Sequence, residues 1–219
     1  MAPLVLYYFS PSSHCRVALQ VIRALGLEVD VRIVNLLKKE QLSEDFIKIN
    51  PQHTIPTLVD DGFVLTESRA IILYLVEKYA PNSSLYSKDV KIRALIHQRL
   101  QFDVGTFYLR LRAICFPVIY QGETRIKDDQ RQKLFEAIDW LNTFLEGHEY
   151  VAGTQNPSVA DISLFNSVAN IVKIGADLSK YPNVIAWFER CKAIPGSDEC
   201  LEGAKIFGER VKSGLQDKL

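Results

Sequence analysis

No sign of charge dominates this sequence: 26 Lys and Arg stand against 26 Asp and Glu over 219 residues. No long-range field therefore draws the chain toward nucleic acid or an anionic membrane, and neither is expected as a partner; any basic patch has to be local. No apolar run approaches the ~20 residues of a membrane-spanning helix. The opening MAPLVLYYF lacks a charged leading segment and meets polar Ser10 too early for a secretory signal, so the expected location is cytoplasmic. Cysteine is sparse. Cys15, Cys115, Cys191 and Cys200 have neither paired zinc-ligand spacing nor the density of a disulfide-stapled domain. They read as reduced, mostly buried thiols, and no metal is expected. Internal repeats and low-complexity segments are absent as well. What is present is apolar: 47% of residues are hydrophobic, enough for a sizeable core in one large domain or two modest ones.

The first eighty residues switch period repeatedly. Leu4 to Phe9 is an apolar run too short for a helix and suited to a buried strand. From Cys15 to Leu25, Val17, Ala18, Val21, Ile22 and Leu25 recur at helical spacing, and Gly26 supplies the stop. Val29, Val31 and Ile33 alternate with Asp30 and Arg32, which is strand period. Strand, helix and strand of these lengths form a βαβ crossover, so the first two strands are predicted to be parallel. A short helix follows over 43–49 with Ser43 as its cap. Thr57 to Val59 and Phe63 to Leu65 flank Asp60-Asp61-Gly62, a hairpin signal, and Glu67 to Tyr79 returns to helical period. The order βαβ, α, ββ, α is the thioredoxin-like one.

After Pro81-Asn82-Ser83-Ser84 strand alternation stops, and the rest reads as an all-α second domain. Helices are predicted near 88–120 with an interruption at Pro117, then 124–145, 158–173, 182–193 and 198–212, followed by a polar tail, KSGLQDKL. Ser158 and Asp161 fit a capping box, Pro182 suits a first helical position, and Asp198 follows a Pro-Gly break.

Four stretches carry a resemblance: SPSSHCR at 10–16, NPQHTIPTLVDDG at 50–62, LTESRAIILYLVEKY at 65–79 and SVADIS at 158–163. Together they resemble the cytosolic glutathione transferases, closest to the insect delta and epsilon classes, over nearly the whole chain. The resemblance implies a thioredoxin-like α/β domain over 1–81 that holds glutathione, a linker over 82–88, and an all-α domain over 89–219 with a hydrophobic acceptor site. It implies an enzyme that offers the glutathione thiolate to small hydrophobic electrophiles, as in detoxification, with glutathione as co-substrate and a homodimer as the assembly.

The resemblance places the catalytic hydroxyl on Ser12, as a hydrogen-bond donor to the sulfur rather than a nucleophile. For any serine just ahead of a helix the plain alternative is capping, and Ser10 and Ser13 stay with that reading. Tyr7 reads as a strand-packing tyrosine. Ser12-x-x-Cys15 replaces the Cys-x-x-Cys of thioredoxins, so with serine first there is no attacking thiolate, and Cys15 reads as an inert helix residue. His14 either adds positive potential at the helix start or sits exposed.

A thiol titrates near ~8.5, and lowering that by about two units takes roughly 2.7 kcal/mol, within reach of one hydrogen bond to a charged group aided by a helix N-terminus. That shift raises the thiolate fraction at neutral pH about 25-fold, while a Brønsted slope near ~0.45 returns about 8-fold of it. Most acceleration must then come from placing the electrophile beside a fixed sulfur.

For the peptide itself, the resemblance assigns a clamp. Ile55, before the expected cis-proline Pro56, would pair its backbone with the cysteinyl unit; Glu67 and Ser68 would take the amine and carboxylate of the γ-glutamyl end, with Arg69 adding charge there. His53 and Gln41 would reach the glycine end, although Gln41 stands where relatives often carry histidine. The aromatic-rich helix read over 88–120 divides between core and cavity. Tyr108, Leu111, Phe116, Ile119 and Tyr120, with Phe207, fall where the acceptor site is usually built; Arg112 beside them is either a polar contact or a solvated arginine. Asp103 matches a position near the dimer interface. The rival from another class is a protein of this fold that carries hydrophobic ligands with little turnover.

Overall fold

A computed structural model describes residues 4–216 and Leu219. Four strands, β1 (Leu4–Tyr8), β2 (Val29–Ile33), β3 (Thr57–Asp60) and β4 (Phe63–Leu65), form one sheet in the order β2-β1-β3-β4. β1 and β2 are parallel, as the crossover requires, and β3 runs antiparallel to both β1 and β4. Asp61 (φ +49°) and Gly62 (φ +83°) both occupy the left-handed region, the geometry of a tight two-residue hairpin turn.

Leu4, Leu6 and Tyr8 alternate into the core on the sheet face covered by α1 (Ser13–Ala24) and α3 (Ser68–Tyr79). Tyr7 points to the other face. There its ring meets Phe46 of α2 (Glu44–Ile49) edge-on at 5.4 Å, in keeping with the packing role read from sequence. Ser43 caps α2 by accepting the Phe46 N–H, and Gly26, at φ +65°, ends the turn after α1.

The remaining helices are α4 (Val90–Phe102), α5 (Tyr108–Gln121), α6 (Asp128–Phe144), α7 (Val159–Ile174), α8 (Pro182–Cys191) and α9 (Ser197–Gly214). α7 is buried on nearly every side and packs against both α1 and α9, which makes it the post on which sheet and helices meet. Its capping box forms as read: Ser158 and Asp161 exchange hydrogen bonds, and Asp161 also accepts from Trp187 Nε1 and the Val151 N–H, each at 2.9 Å. All four cysteines are free and buried.

The helices depart from expectation in four places. Pro117 does not interrupt its helix, since α5 continues to Gln121 and ends at Gly122 (φ +73°). Only the carbonyl of Ala113 loses its partner to the proline, and Ala113 is exposed, so water can replace the missing N–H. The irregularity lies instead at Asp103–Phe107, a π-helical turn between α4 and α5. α6 starts four residues later than predicted. Of the tail KSGLQDKL, Lys212 to Gly214 belong to α9, Gln216 donates its N–H to the Thr124 carbonyl, and 217–218 lie outside the described residues. No helix of the described residues is long and apolar enough to cross a membrane.

Candidate active site

Strand directions gather the site. Tyr8 pairs with Ile33, Tyr7 with Thr57 and Leu58 with Leu65, so β1, β2 and β4 finish, and β3 begins, at one end of the sheet. The segments 9–12, 34–43, 50–56 and 66–68 all emerge there, and they contain Ser12, Gln41, His53, Ile55, Pro56, Glu67 and Ser68.

Ser12 is the N-cap of α1. Its Oγ accepts the Cys15 N–H at 3.4 Å, which leaves the hydroxyl hydrogen free to point outward. Capping and donation are thus compatible in one side chain. The loop behind it rests on Arg16, a fully buried guanidinium: Nη1 donates to the Ser10 carbonyl (2.9 Å), Nη2 to Asn170 Oδ1 (2.5 Å) and Nε to Asn166 Oδ1 (3.3 Å). Burial lowers the pKa of Arg16 from its ordinary value, yet an arginine keeps its charge. α9 closes the other side so tightly that a Cβ on Gly203 would sit 2.5 Å from the Ser10 carbonyl oxygen. Sequence reading left Arg16, Asn166 and Asn170 without a role; their only signal is polarity on helix faces otherwise apolar.

His14 matches neither reading made of it. It is half-buried, its ring edge-on to Tyr108 at 4.2 Å, and burial followed by repulsion from Arg69 pushes its pKa down to about 3. It is neutral at physiological pH and adds no positive potential. Cys15 is fully buried, and desolvation raises its thiol to about 11, in keeping with an inert residue.

At the head of α3, Glu67 is exposed with φ +64°, and Ser68 Oγ accepts from Arg69 Nη1 at 2.8 Å. Arg69 acts at this end from within the protein. It is buried, and its Nη2 pairs with Asp103, which also accepts from Ser163 and Ser167. Asp103 is consequently a core residue with no exposed area. Three donors pull it inward at the start of the π-helical turn.

The Ile55–Pro56 peptide is cis. Among the described residues the Ile55 N–H and C=O make no backbone hydrogen bond, so both are open to an extended ligand. Buried Asn50 braces this loop through Thr54 and Thr57, and His53 is exposed beside it. Gln41 lies in a 3-10 turn, Glu40–Leu42, where its buried Oε1 has no partner among the described residues.

Between the loop end of the sheet and helices α5, α7 and α9 lies a cavity of about 330 Å³. Ser12 lines it together with Tyr108, Leu111, Arg112, Phe116, Ile119, Tyr120 and Phe207, every residue expected of the acceptor site. Arg112 is exposed and also lines the cavity, its guanidinium 4.1 Å above the Phe116 ring. Sequence reading missed Phe9, Pro11, Leu36, Leu37, Cys115, Asn170, Ile206 and Arg210, which arrive from five separate segments. No group of three or more His, Cys, Asp or Glu among the described residues is placed to hold a metal.

Family models agree with this arrangement. Residues 6–83 match the glutathione S-transferase N-terminal domain and residues 122–190 the C-terminal domain. Among solved structures, glutathione S-transferase unclassified 2 from Bombyx mori is 44% identical, with a TM-score of 0.94 over 99% of this chain and 100% of that one. A delta-class glutathione transferase from Nilaparvata lugens is 40% identical, with a TM-score of 0.92 over 97% of this chain and all of that one. An epsilon-class enzyme from the housefly, Musca domestica, is 39% identical, with a TM-score of 0.91 over 96% of this chain and 98% of that one. Similar at these identities over almost its full length, and carrying a serine at the mouth of an apolar cavity, the chain belongs to the glutathione S-transferase family, close to the insect delta and epsilon classes, and conjugates glutathione to electrophiles.

Proposed function

We propose that glutathione lies extended across the loop end of the sheet, in a unit spanning 1–81, with its sulfur over Ser12. Its cysteinyl backbone pairs with Ile55, its γ-glutamyl end meets Glu67 and Ser68, and its glycine end points toward Gln41 and His53. The electrophile, a small hydrophobic molecule, occupies the cavity built mainly by the helical unit over 89–219, with 82–88 as the linker. One observation carries this reading: the Ser12 hydroxyl, fixed at the N-terminus of α1, opens onto the same cavity as all seven expected acceptor residues.

Each donor then has one task. Ser12 spends its acceptor capacity on the Cys15 N–H and gives its hydrogen to the thiolate. Ser68 is held by Arg69 in the same way and gives its hydrogen to the γ-glutamyl carboxylate, so Arg69 is a positioning residue. The unsatisfied Oε1 of Gln41 is a ready acceptor for an N–H near the glycine end. With the sulfur anchored, rate comes chiefly from the cavity walls bringing the electrophile to it. The reading extends to a two-fold homodimer working in the cytoplasm, which size-exclusion chromatography and fractionation would test.

Conjugation of glutathione to a generic aryl halide tests the assignment. In Ser12→Ala, kcat/KM should fall at least about threefold at neutral pH, with an apparent thiol pKa moving up by about two units toward the free value. An unchanged pH profile would remove Ser12 from the mechanism, and retention on immobilised glutathione without turnover would favour a carrier.

A further inference from the structure

Two cations stand at the cavity with no counter-ion among the described residues. Among the described residues Arg112 and Arg210 are the only charged side chains on its lining, and both are exposed. Among the described residues neither guanidinium forms an ion pair; Arg112 is held only by its stack on Phe116, which leaves its N–H edges free. The walls are graded by depth. Leu111, Cys115 and Asn170 are buried at the floor, whereas Leu37, Tyr120 and Ile206 are 55%, 53% and 51% exposed and form an apolar lip on the same side as the arginines. Glutathione does not call for these cations, because its γ-glutamyl end is assigned above to Glu67 and Ser68 and its glycine end to Gln41 and His53.

We propose that the preferred electrophiles are amphiphilic acids: an apolar body with its reactive carbon at the floor beside the sulfur, and a carboxylate or other anionic group reaching Arg112 and Arg210 at the lip. This rests on the conjugation reading above. The physical ground is that an exposed guanidinium is solvated at no cost while the cavity is open. When an apolar body covers the lip and excludes water, a charge-assisted hydrogen bond to the ligand's anion replaces that solvation, a gain unavailable to a neutral electrophile.

The test compares two aryl chlorides, the chloronitrobenzoate with chlorine para and nitro meta to the carboxylate, and the matching benzamide. In each, the glutathione sulfur bonds to the chlorine-bearing carbon, the C–Cl bond breaks, chloride leaves with its electron pair and the thiol proton goes to water; nothing is oxidised or reduced. At saturating glutathione, kcat/KM for each is divided by its uncatalysed rate constant, which removes the electronic difference between the rings. The normalised ratio should favour the benzoate and shrink as salt is raised. Arg112→Gln and Arg210→Gln should each cut it about threefold to fivefold, the scale of a partly solvated charge pair, while Arg→Lys at either position keeps most of it. A wild-type ratio at or below one, or a ratio unmoved in the double Gln variant, overturns the proposal while leaving conjugation intact. Failure to turn over either compound overturns the conjugation reading and this proposal with it. The wild-type ratio and its salt dependence require no variant to fold.

Discussion

Arg16 and Arg69 are two buried arginines whose charges are met by opposite means, and Arg69 keeps a buried Nε with no partner among the described residues. Arg69 faces a carboxylate, Asp103, so its charge is cancelled locally and what remains is orientation: it holds Ser68. Arg16 is met only by carbonyl and amide oxygens, from Ser10, Asn166 and Asn170, and no ion pair neutralises it among the described residues. Neutral partners pay the hydrogen bonds without removing the field. A positive charge thus persists under the first turn of α1, where an anion would sit. His14 senses both: Arg69 lowers its pKa, Asp103 partly offsets that, and Arg16 lowers it further.

Breaking the ion pair is expected to have the largest effect. Asp103→Ala leaves the Arg69 charge buried and unpaired, which costs about 3–5 kcal/mol in denaturant unfolding and raises the KM for glutathione as Ser68 loses its anchor. A loss below about 1 kcal/mol would mean that solvent reaches Arg69. Next, Arg16→Met takes the donor away from the Oδ1 atoms of two asparagines and from the Ser10 carbonyl, a loss of about 1–3 kcal/mol. If its field reaches the sulfur, the apparent thiol pKa in the pH profile of kcat/KM also rises by about one unit, and Arg16→Lys restores it. A Met variant with the wild-type pKa would make Arg16 purely structural.

The smallest effect concerns His14. Because the folded ring resists a proton that the unfolded ring accepts, the unfolded chain binds the extra proton between about pH 6.5 and 3, and stability falls as pH falls through that window. His14→Gln should remove about 1 kcal/mol of the loss seen between pH 7 and pH 4.5, once partial exposure is allowed for. Equal losses in both proteins would show that the ring takes up its proton in the folded state.

These residues mark the border of what pattern reveals. Period changes at Leu4, Val17 and Val29 announced strand, helix and strand, and Ser43, Asp61-Gly62 and Ser158-Asp161 announced their own caps and turn, because each is completed within a few residues. Ser12, Ile55, the head of α3 and the acceptor row on α5 with Phe207 of α9 were legible through motif resemblance. The buried pairing of Asp103 was not foreseen, and Arg16 was passed over. A helix period says which face is apolar, and it does not say which polar group is drawn into that face by a partner on another element.

By itself, then, the chain dictates its order of elements and its local stops, since helix and strand periods and capping bonds are satisfied between near neighbours. Packing alone decided that Pro117 is tolerated where Ala113 meets solvent, that His14 stays neutral, and that Arg16 finds Asn170 on a helix more than 150 residues away. It also brought Leu37, Arg112 and Arg210 to one cavity mouth. Such partners share no local period. Their pairing energy exists only after the helices have docked against the sheet.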